Sequence, residues 1–220
     1  MERTTMNAKL ILKNITPPVL WSILKTLIPN TQAAPNENRL FDGDDALFKE
    51  LVKHVDFFGE YGVGQSTVWV SKNCSAHIYS VDTSKEWIET VKSKLAPSKK
   101  LDMEWVDLGA LGDWGYPCTY EKRDDFHKYV ESIWVRDHKP ELVLIDGRFR
   151  VSCFLYSLIH GVPGTKILFD DYTNRPNYHV VEEYIAPIKT NGRQALFVIP
   201  EVLDSESIQS VMNQFLYVMN

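Results

Sequence analysis

The sequence is poor in cysteine, and this limits the kinds of protein it can encode. Only three of its 220 residues are cysteines, Cys74, Cys118 and Cys153, and no two of them form a Cys-x-x-Cys pair. A scattered, odd-numbered set is typical of buried thiols in a reducing compartment, and it argues against a disulfide framework or a zinc site. We therefore expect a cytoplasmic protein.

Long apolar runs and an excess of positive charge are missing as well. No apolar segment approaches the ~18 residues that a membrane span needs, and the N-terminus lacks the charged-then-apolar pattern of a secretory signal. With 24 Lys and Arg against 29 Asp and Glu, the formal net charge is −5, which argues against a broad electrostatic surface for nucleic acid. The sequence thus predicts neither a membrane nor a nucleic acid as a partner.

The remaining composition, 44% hydrophobic, is sufficient for one sizeable core. From residue 45 onward, strand-like apolar runs alternate with helical patterns, and Glu141–Ile145 is a nearly continuous run typical of a parallel strand buried on both faces. This alternation predicts an α/β fold, a doubly wound, Rossmann-like and mostly parallel sheet. Residues 1–44 fall outside the pattern and predict a helical and loop extension, either a lid or a segment that packs on the domain of residues 45–220.

A glycine-bearing turn, Gly62-Val63-Gly64, joins a mostly apolar run to a helical pattern. Glycine accepts positive φ and lets a ligand approach the backbone, and a helix start directs unpaired N–H groups at that ligand. The turn has neither the Gly-x-Gly-x-x-Gly spacing of dinucleotide enzymes nor the lysine of a P-loop. Because Glu60 precedes it, the turn favours a cationic, phosphate-free nucleoside such as S-adenosylmethionine. The alternative is a tight turn without a ligand.

The segment Glu60–Ser66, Glu-Tyr-Gly-Val-Gly-Gln-Ser, resembles the first motif of class I S-adenosylmethionine-dependent methyltransferases, acidic-x-Gly-x-Gly-x-Gly. It departs from that motif at Ser66, where the family has a third glycine. The resemblance covers roughly residues 55–200 by motif order. Family sheets end in an antiparallel hairpin, but only one strand is visible after Ile188, so we expect a reduced C-terminal edge. The resemblance implies that the cofactor is held by Glu60, Gly62, Gly64, Ser66 and Thr67.

Acidic residues also end the next two predicted strands. Asp82 is placed to accept the ribose hydroxyls of a bound nucleoside, or else it caps the following helix. We assign its neighbour Thr83 to the cofactor site too, although Thr83 and Glu86 also fit a capping box. The family resemblance implies that Asp107 meets the adenine amino group and that the Leu108 backbone meets the ring. A plain Asp-x-Gly turn is the alternative there.

Three further carboxylates, Asp146, Asp170 and Asp171, follow the fourth and fifth predicted strands. Since parallel strands end at one edge of a sheet, we expect these groups to lie close together, and their oxygens suit Mg²⁺ or a similar cation. The pattern resembles metal-dependent O-methyltransferases of the macrocin and caffeoyl-CoA types, which implies that all three are metal ligands. Alternatively, Asp146 orients the cofactor amino group and the other two form a solvated turn.

The same edge carries candidates for proton transfer and substrate binding. Asp146 and His179 are candidate bases. Arg148, Arg150 and Tyr172 are candidate substrate residues. The guanidinium groups of Arg148, Arg150 and Arg175 suit an anionic substrate, because guanidinium recognises carboxylate or phosphate, and pairing with the nearby aspartates is the alternative. The sequence thus predicts a methyltransferase acting on a hydroxyl of an anionic small molecule, with Mg²⁺ assistance. A binding protein of the same fold without catalysis is the alternative, and the glycine spacing disfavours an NAD(P)-dependent oxidoreductase.

Overall fold

A seven-stranded sheet organises the computed structural model, which describes residues 39–41, 43–98 and 100–219. Its order is β3-β2-β1-β4-β5-β7-β6. Strands β1 to β5 are parallel, and β7 runs antiparallel to both β5 and β6. This confirms the predicted doubly wound, mostly parallel sheet. The strands are β1 Phe57–Tyr61, β2 His77–Asp82, β3 Leu101–Trp105, β4 Leu142–Ile145, β5 Lys166–Phe169, β6 Lys189–Asn191 and β7 Gln194–Val198.

Most connections between strands are helical. The α-helices are α1 Ala46–Val52, α2 Gln65–Asn73, α3 Lys85–Lys92, α4 Phe126–Glu131, α5 Arg150–His160 and α6 Ser205–Phe215. Short 3₁₀ helices span Asp113–Gly115, Arg123–Asp125 and Pro176–Glu183. Apolar residues at helical spacing over 177–188 predict an α-helix there. The structure instead has a 3₁₀ helix that ends at Glu183, before Pro187, a residue that cannot continue a helix. No helix in the described part of the chain is both long and apolar enough to cross a membrane.

The core lies on both faces of the sheet, as β4 illustrates. Leu142 and Leu144 pack with residues of α1 and α2 on one face. Val143 and Ile145 pack with α4, α5 and α6 on the other. Successive side chains of a strand point to opposite faces, so a strand covered by helices on both sides must be apolar throughout. All four residues are fully buried, which explains the continuous apolar run in the sequence.

The C-terminal edge carries a strand that the sequence pattern did not reveal. β6 has three polar residues, exposed or half-buried, and it pairs with β7 through a two-residue loop, Gly192-Arg193, in which Gly192 has φ +57°. Glycine is favoured at the first position of such a loop, where φ is positive. The edge therefore has the complete antiparallel hairpin, with one very short strand. Of the predicted extension, residues 1–44, residues 1–38 and 42 lie outside the described residues, and so does the predicted helix; the lid stays a prediction.

Candidate active site

The two glycines of the turn after β1 serve different purposes. Gly62 has φ +92°, and a Cβ there would lie 2.9 Å from Gly147 Cα, so both the turn and the packing require glycine. Gly64 has φ −173°, an extended conformation that any residue adopts, and a Cβ there would meet no atom within 4 Å. Gly64 is the N-cap of α2, a position that favours glycine over larger apolar residues, but no neighbouring atom excludes a side chain there. Open space lies above it, where a ligand can approach the backbone.

Glu60 lies beneath this turn and is fully buried. Its carboxylate accepts hydrogen bonds from Ser66 Oγ at 2.7 Å, Ser80 Oγ at 2.7 Å and Thr67 Oγ1 at 2.5 Å. Thr67 Oγ1 in turn accepts from the Gly64 N–H at 2.9 Å. Burial raises the pKa of Glu60 to about 7, although the three hydroxyls oppose the rise. Glu60, Ser66 and Thr67 thus hold the turn and the start of α2 together through bonds among themselves.

Asp82 lies at the end of β2 and faces the turn. Its Oδ2 accepts from the Val63 N–H at 2.9 Å, and its Oδ1 accepts from the Ser84 N–H at 2.9 Å. A carboxylate has about four lone-pair sites, so Asp82 can position the turn and still accept two hydroxyls. Burial raises the pKa of Asp82, and the backbone N–H groups of Ser84, Val63 and Thr83 oppose the rise.

Thr83 and Ser84 complete this corner differently from the expected capping box. The Ser84 side chain caps α3 by accepting from the Trp87 N–H, so the cap lies one residue later than predicted. Thr83 is buried and its hydroxyl donates to the Gly115 carbonyl at 2.9 Å. That bond fastens the loop after β3 against the end of β2. Thr83 therefore lies at the predicted site, with its hydroxyl in use.

The end of β3 is more exposed. Asp107 Oδ1 accepts from the Gly109 N–H at 3.0 Å, and its Oδ2 lies 3.6 Å from Lys122 Nζ. Leu108 is buried in the core. These are the contacts of an Asp-x-Gly turn, and the adenine contacts of Asp107 and Leu108 stay predictions.

Asp146, Asp170 and Asp171 converge as predicted. Each offers an oxygen that lies within 4.8 Å of the others. Asp170 and Asp171 are buried, whereas about a third of the Asp146 side chain (32%) is exposed. Asp171 holds φ +59°, a conformation that is costly for a residue other than glycine. Burial, reinforced by the neighbouring Asp170, raises the pKa of Asp146, and Arg150 opposes the rise.

Three arginines pair with these carboxylates. Arg150 bridges Asp146 at 3.0 Å and Asp171 at 3.2 Å. Arg193 contacts Asp170 at 2.6 Å and Asp171 at 3.0 Å. Arg175 adds a contact to Asp171 at 2.7 Å. Arg150 and Arg175 therefore pair with aspartates, which was the alternative to substrate binding. Arg193 was not foreseen, although the Asn-Gly hairpin signal just before it could have located it.

These contacts bear on whether a cation fits the cluster. The oxygens are suitable ligands for Mg²⁺. However, three guanidinium groups already balance the three carboxylates in charge and lie within hydrogen-bonding reach of the oxygens that would bind it. A cation would have to displace them, so the donor set as it stands does not fit a metal. The metal site stays a prediction of the sequence pattern that the ion pairs speak against.

The two other predicted residues on this side, Tyr172 and His179, lie against each other. Their rings stack at 4.7 Å, and His179 Nε2 lies 3.1 Å from the Tyr172 carbonyl. Nε2 must carry the proton in that bond, since a carbonyl can only accept. The Tyr172 hydroxyl donates to Glu182 Oε1 at 2.7 Å, and its ring is buried. Both side chains are therefore engaged within the protein.

Comparison with solved structures shows which family this chain belongs to. The chain is similar to the crystal structure of a methyltransferase-like protein from Silicibacter pomeroyi DSS-3, with 30% sequence identity and a TM-score of 0.69 over 78% of this chain and 92% of that one. The chain belongs to this methyltransferase-like family. No family model matches the sequence, and no curated protein is similar to it.

Other solved structures are less similar to this methyltransferase-like chain. An O-methyltransferase from Bacillus cereus in complex with SAH aligns with 90% of this chain and 100% of its own, at 13% identity and a TM-score of 0.48. A putative O-methyltransferase from Klebsiella pneumoniae aligns with 95% of this chain and 81% of its own, at 17% identity and a TM-score of 0.44. At such scores these likenesses are too loose to inform the chemistry of this chain.

Proposed function

We propose that the chain is an S-adenosylmethionine-dependent methyltransferase that methylates a hydroxyl of a small molecule. The observation that carries the proposal is the open space above Gly64, at the carboxyl end of β1. Ligands of doubly wound sheets bind beyond the carboxyl ends of the strands. Membership of the methyltransferase-like family supports the same reading.

The residues around this space suit the cofactor in their chemistry. Gly62 and Gly64 leave the backbone accessible, and the N-terminus of α2 begins directly after them. Asp82 retains lone pairs for two ribose hydroxyls. No lysine stands at the turn, as suits a nucleoside without phosphate. When bound, S-adenosylmethionine supplies a methyl group on a sulfonium, which is already a strong electrophile.

The protein must then position the acceptor and remove its proton. Asp146 is the candidate base, because part of its side chain is exposed and its backbone N–H bonds the Tyr61 carbonyl at 3.1 Å, immediately before the turn. Arg150 fixes the orientation of its carboxylate at 3.0 Å. His179 is the weaker candidate, since its Nε2 is already engaged. The proposed chemistry uses no metal.

The test measures binding of S-adenosylhomocysteine, the product form of the cofactor, to the wild type and to Gly64→Ala and Gly64→Val. A side chain at residue 64 meets only open space, but Ala and Val are poorer N-cap residues than Gly by about 1 kcal/mol. The ligand-free variants should therefore melt only about 2 to 4 °C below the wild type. Affinity should fall progressively with side-chain size. Equal affinity across the series would contradict the proposed cradle.

Transfer itself is tested with isotope-labelled S-adenosylmethionine and a panel of phenols, catechols and hydroxy acids. O-methylated products that disappear in Asp146→Asn, with cofactor binding retained, would support the proposal. Binding without transfer to any acceptor would favour the alternative, a cofactor-binding protein without catalysis.

A further inference from the structure

Arg148 differs from every arginine of the aspartate cluster. It is 7% exposed, yet no carboxylate of the described residues lies within ion-pair distance of its guanidinium. Its Nη1 is buried without a hydrogen-bond partner. Its backbone N–H donates to the Tyr129 hydroxyl, and its carbonyl accepts from Cys153 Sγ. Among the described residues, the Tyr116 hydroxyl is the side-chain partner within hydrogen-bonding reach of its guanidinium.

An unpaired guanidinium in a buried position is costly, because the charge loses water and gains no acceptor in return. Arg150, which is also buried, makes the hydrogen bonds that Arg148 lacks. Its N–H groups donate to the Gly147, Asp146 and Asp170 carbonyls and to the carboxylates of Asp146 and Asp171. Asp146, Asp170 and Asp171 lie on neighbouring strand ends, so acceptors exist nearby. The fold leaves Arg148 without a carboxylate partner and leaves its Nη1 without any acceptor.

The surroundings of Arg148 resemble a prepared anion site. Its guanidinium carbon lies 4.0 Å from the centre of the Tyr116 ring, a cation–π contact that positions the group and leaves Nη1 without a partner. Burial alone would raise the pKa of Tyr116, but Arg148 and Arg175 together hold it below its ordinary value. The local potential is therefore positive.

Arg148 also lies beside the proposed cofactor space. It follows Gly147, which packs against Gly62 of the turn. Its charge acts on Asp82 as well, where it opposes the rise in pKa that burial causes. A guanidinium in this position can reach a ligand that lies over the turn, and its planar fork suits the two oxygens of a carboxylate.

We propose that Arg148 is the receptor for a carboxylate on a ligand bound above Gly64. The proposal rests on the proposed function, since it concerns the same cleft. The carboxylate has two sources, the amino-acid end of the cofactor or the methyl acceptor, and the recognition chemistry is the same for both. Arg148 binds the anion and positions it. Of the two arginines that the sequence predicts as substrate residues, Arg148 binds the ligand, whereas Arg150 pairs with Asp146 and Asp171.

The experiment compares the wild type with Arg148→Met, which removes the charge, and Arg148→Lys, which keeps the charge without the fork. Arg123→Met is the matched control, because Arg123 is exposed and pairs only with the adjacent Asp124 at 3.8 Å. Each protein is titrated with S-adenosylhomocysteine, with 5′-methylthioadenosine, which lacks the amino-acid end, and with malonate in the presence and absence of S-adenosylhomocysteine.

We expect Arg148→Met to weaken a carboxylate ligand at least 10-fold, Arg148→Lys to weaken it less, and Arg123→Met to have no effect. Loss for S-adenosylhomocysteine with unchanged 5′-methylthioadenosine binding assigns the carboxylate to the cofactor. Loss for malonate with unchanged S-adenosylhomocysteine binding assigns it to the acceptor. Arg148→Met should also melt at the same temperature as the wild type or higher, because it removes an unpaired buried charge.

Wild-type affinity of Arg148→Met for both S-adenosylhomocysteine and malonate would overturn the proposal. So would a marked fall in its melting temperature, which would indicate a structural role. If the wild type binds no S-adenosylhomocysteine, the proposed function fails instead, and the malonate titration of the ligand-free chain still decides whether Arg148 binds an anion.

Discussion

Glu60 gives the most quantitative prediction, because the structure isolates it. Its carboxyl is fully buried and its neighbours within hydrogen-bond reach are three hydroxyls, which cannot neutralise a charge. Burial raises the pKa of Glu60 from 4.5 to about 7. Below pH 4.5 the group is protonated in the folded and the unfolded chain alike. Above pH 7 the folded chain must hold a buried charge. The stability that protonated Glu60 contributes is therefore lost as the pH rises through 7.

The size of the effect follows from the shift. Each pKa unit corresponds to about 1.4 kcal/mol, so the folded state loses about 3 kcal/mol across the whole transition, of which about 2.5 kcal/mol falls between pH 5 and pH 8. Glu60→Gln keeps the shape of the side chain and removes its titration. The difference in unfolding free energy between the wild type and the variant should then shift by that amount, with the wild type relatively weaker at pH 8.

The assay is urea unfolding at pH 5, 6, 7 and 8, followed by tryptophan fluorescence. Glu50→Gln, which removes an exposed carboxylate of α1, is the control and should follow the wild type at every pH. Any constant cost of replacing Glu60 cancels, because only the pH dependence is compared. A difference between the wild type and Glu60→Gln that stays constant from pH 5 to pH 8 would refute the reasoning.

Three other outcomes are expected. Asp82→Ala should lower the affinity for S-adenosylhomocysteine at least about 100-fold in calorimetry, since two hydrogen bonds to a charged acceptor, each worth about 1.5 to 3 kcal/mol, disappear; an unchanged affinity would exclude Asp82 from the site. Asp170→Asn should destabilise the chain by about 3 kcal/mol in urea unfolding, because it breaks the buried pair with Arg193; an unchanged midpoint would mean that Asp171 alone satisfies that arginine. Addition of Mg²⁺ or EDTA should leave the melting temperature and the affinity for S-adenosylhomocysteine unchanged, and a clear shift with Mg²⁺ would restore the metal site.

The parallel part of the sheet could be predicted because burial on both faces leaves a strong pattern. Glu141–Ile145 is almost entirely apolar, and the run coincides with β4. β6 left no such pattern, since its residues are polar and lie at the edge of the sheet, where one side is open to solvent. The local signal for β6 was the Asn191-Gly192 pair, in which Gly192 opens the two-residue loop to β7, and this signal does not depend on hydrophobicity. The 3₁₀ helix Pro176–Glu183 carries a helix-like apolar stripe, and its tighter winding is invisible to that stripe.

The candidate site, too, could be predicted only in part from the sequence. The convergence of Asp146, Asp170 and Asp171 followed from topology, because neighbouring parallel strands end together. Which arginines pair with these aspartates could not be predicted from the topology. Arg148 and Arg150 are two residues apart, but Phe149 between them has φ +53° and α5 begins directly after it. That backbone turn sends one guanidinium to the aspartates and the other to Tyr116, and periodicity does not show it.

The central claim is that the turn at Gly62 and Gly64 holds S-adenosylmethionine. Calorimetric titration of the full chain with S-adenosylhomocysteine tests it most directly. We predict saturable binding at one site per chain, of similar affinity with and without Mg²⁺. The absence of binding in either buffer would contradict the claim, and would mean that this methyltransferase-like fold serves another ligand.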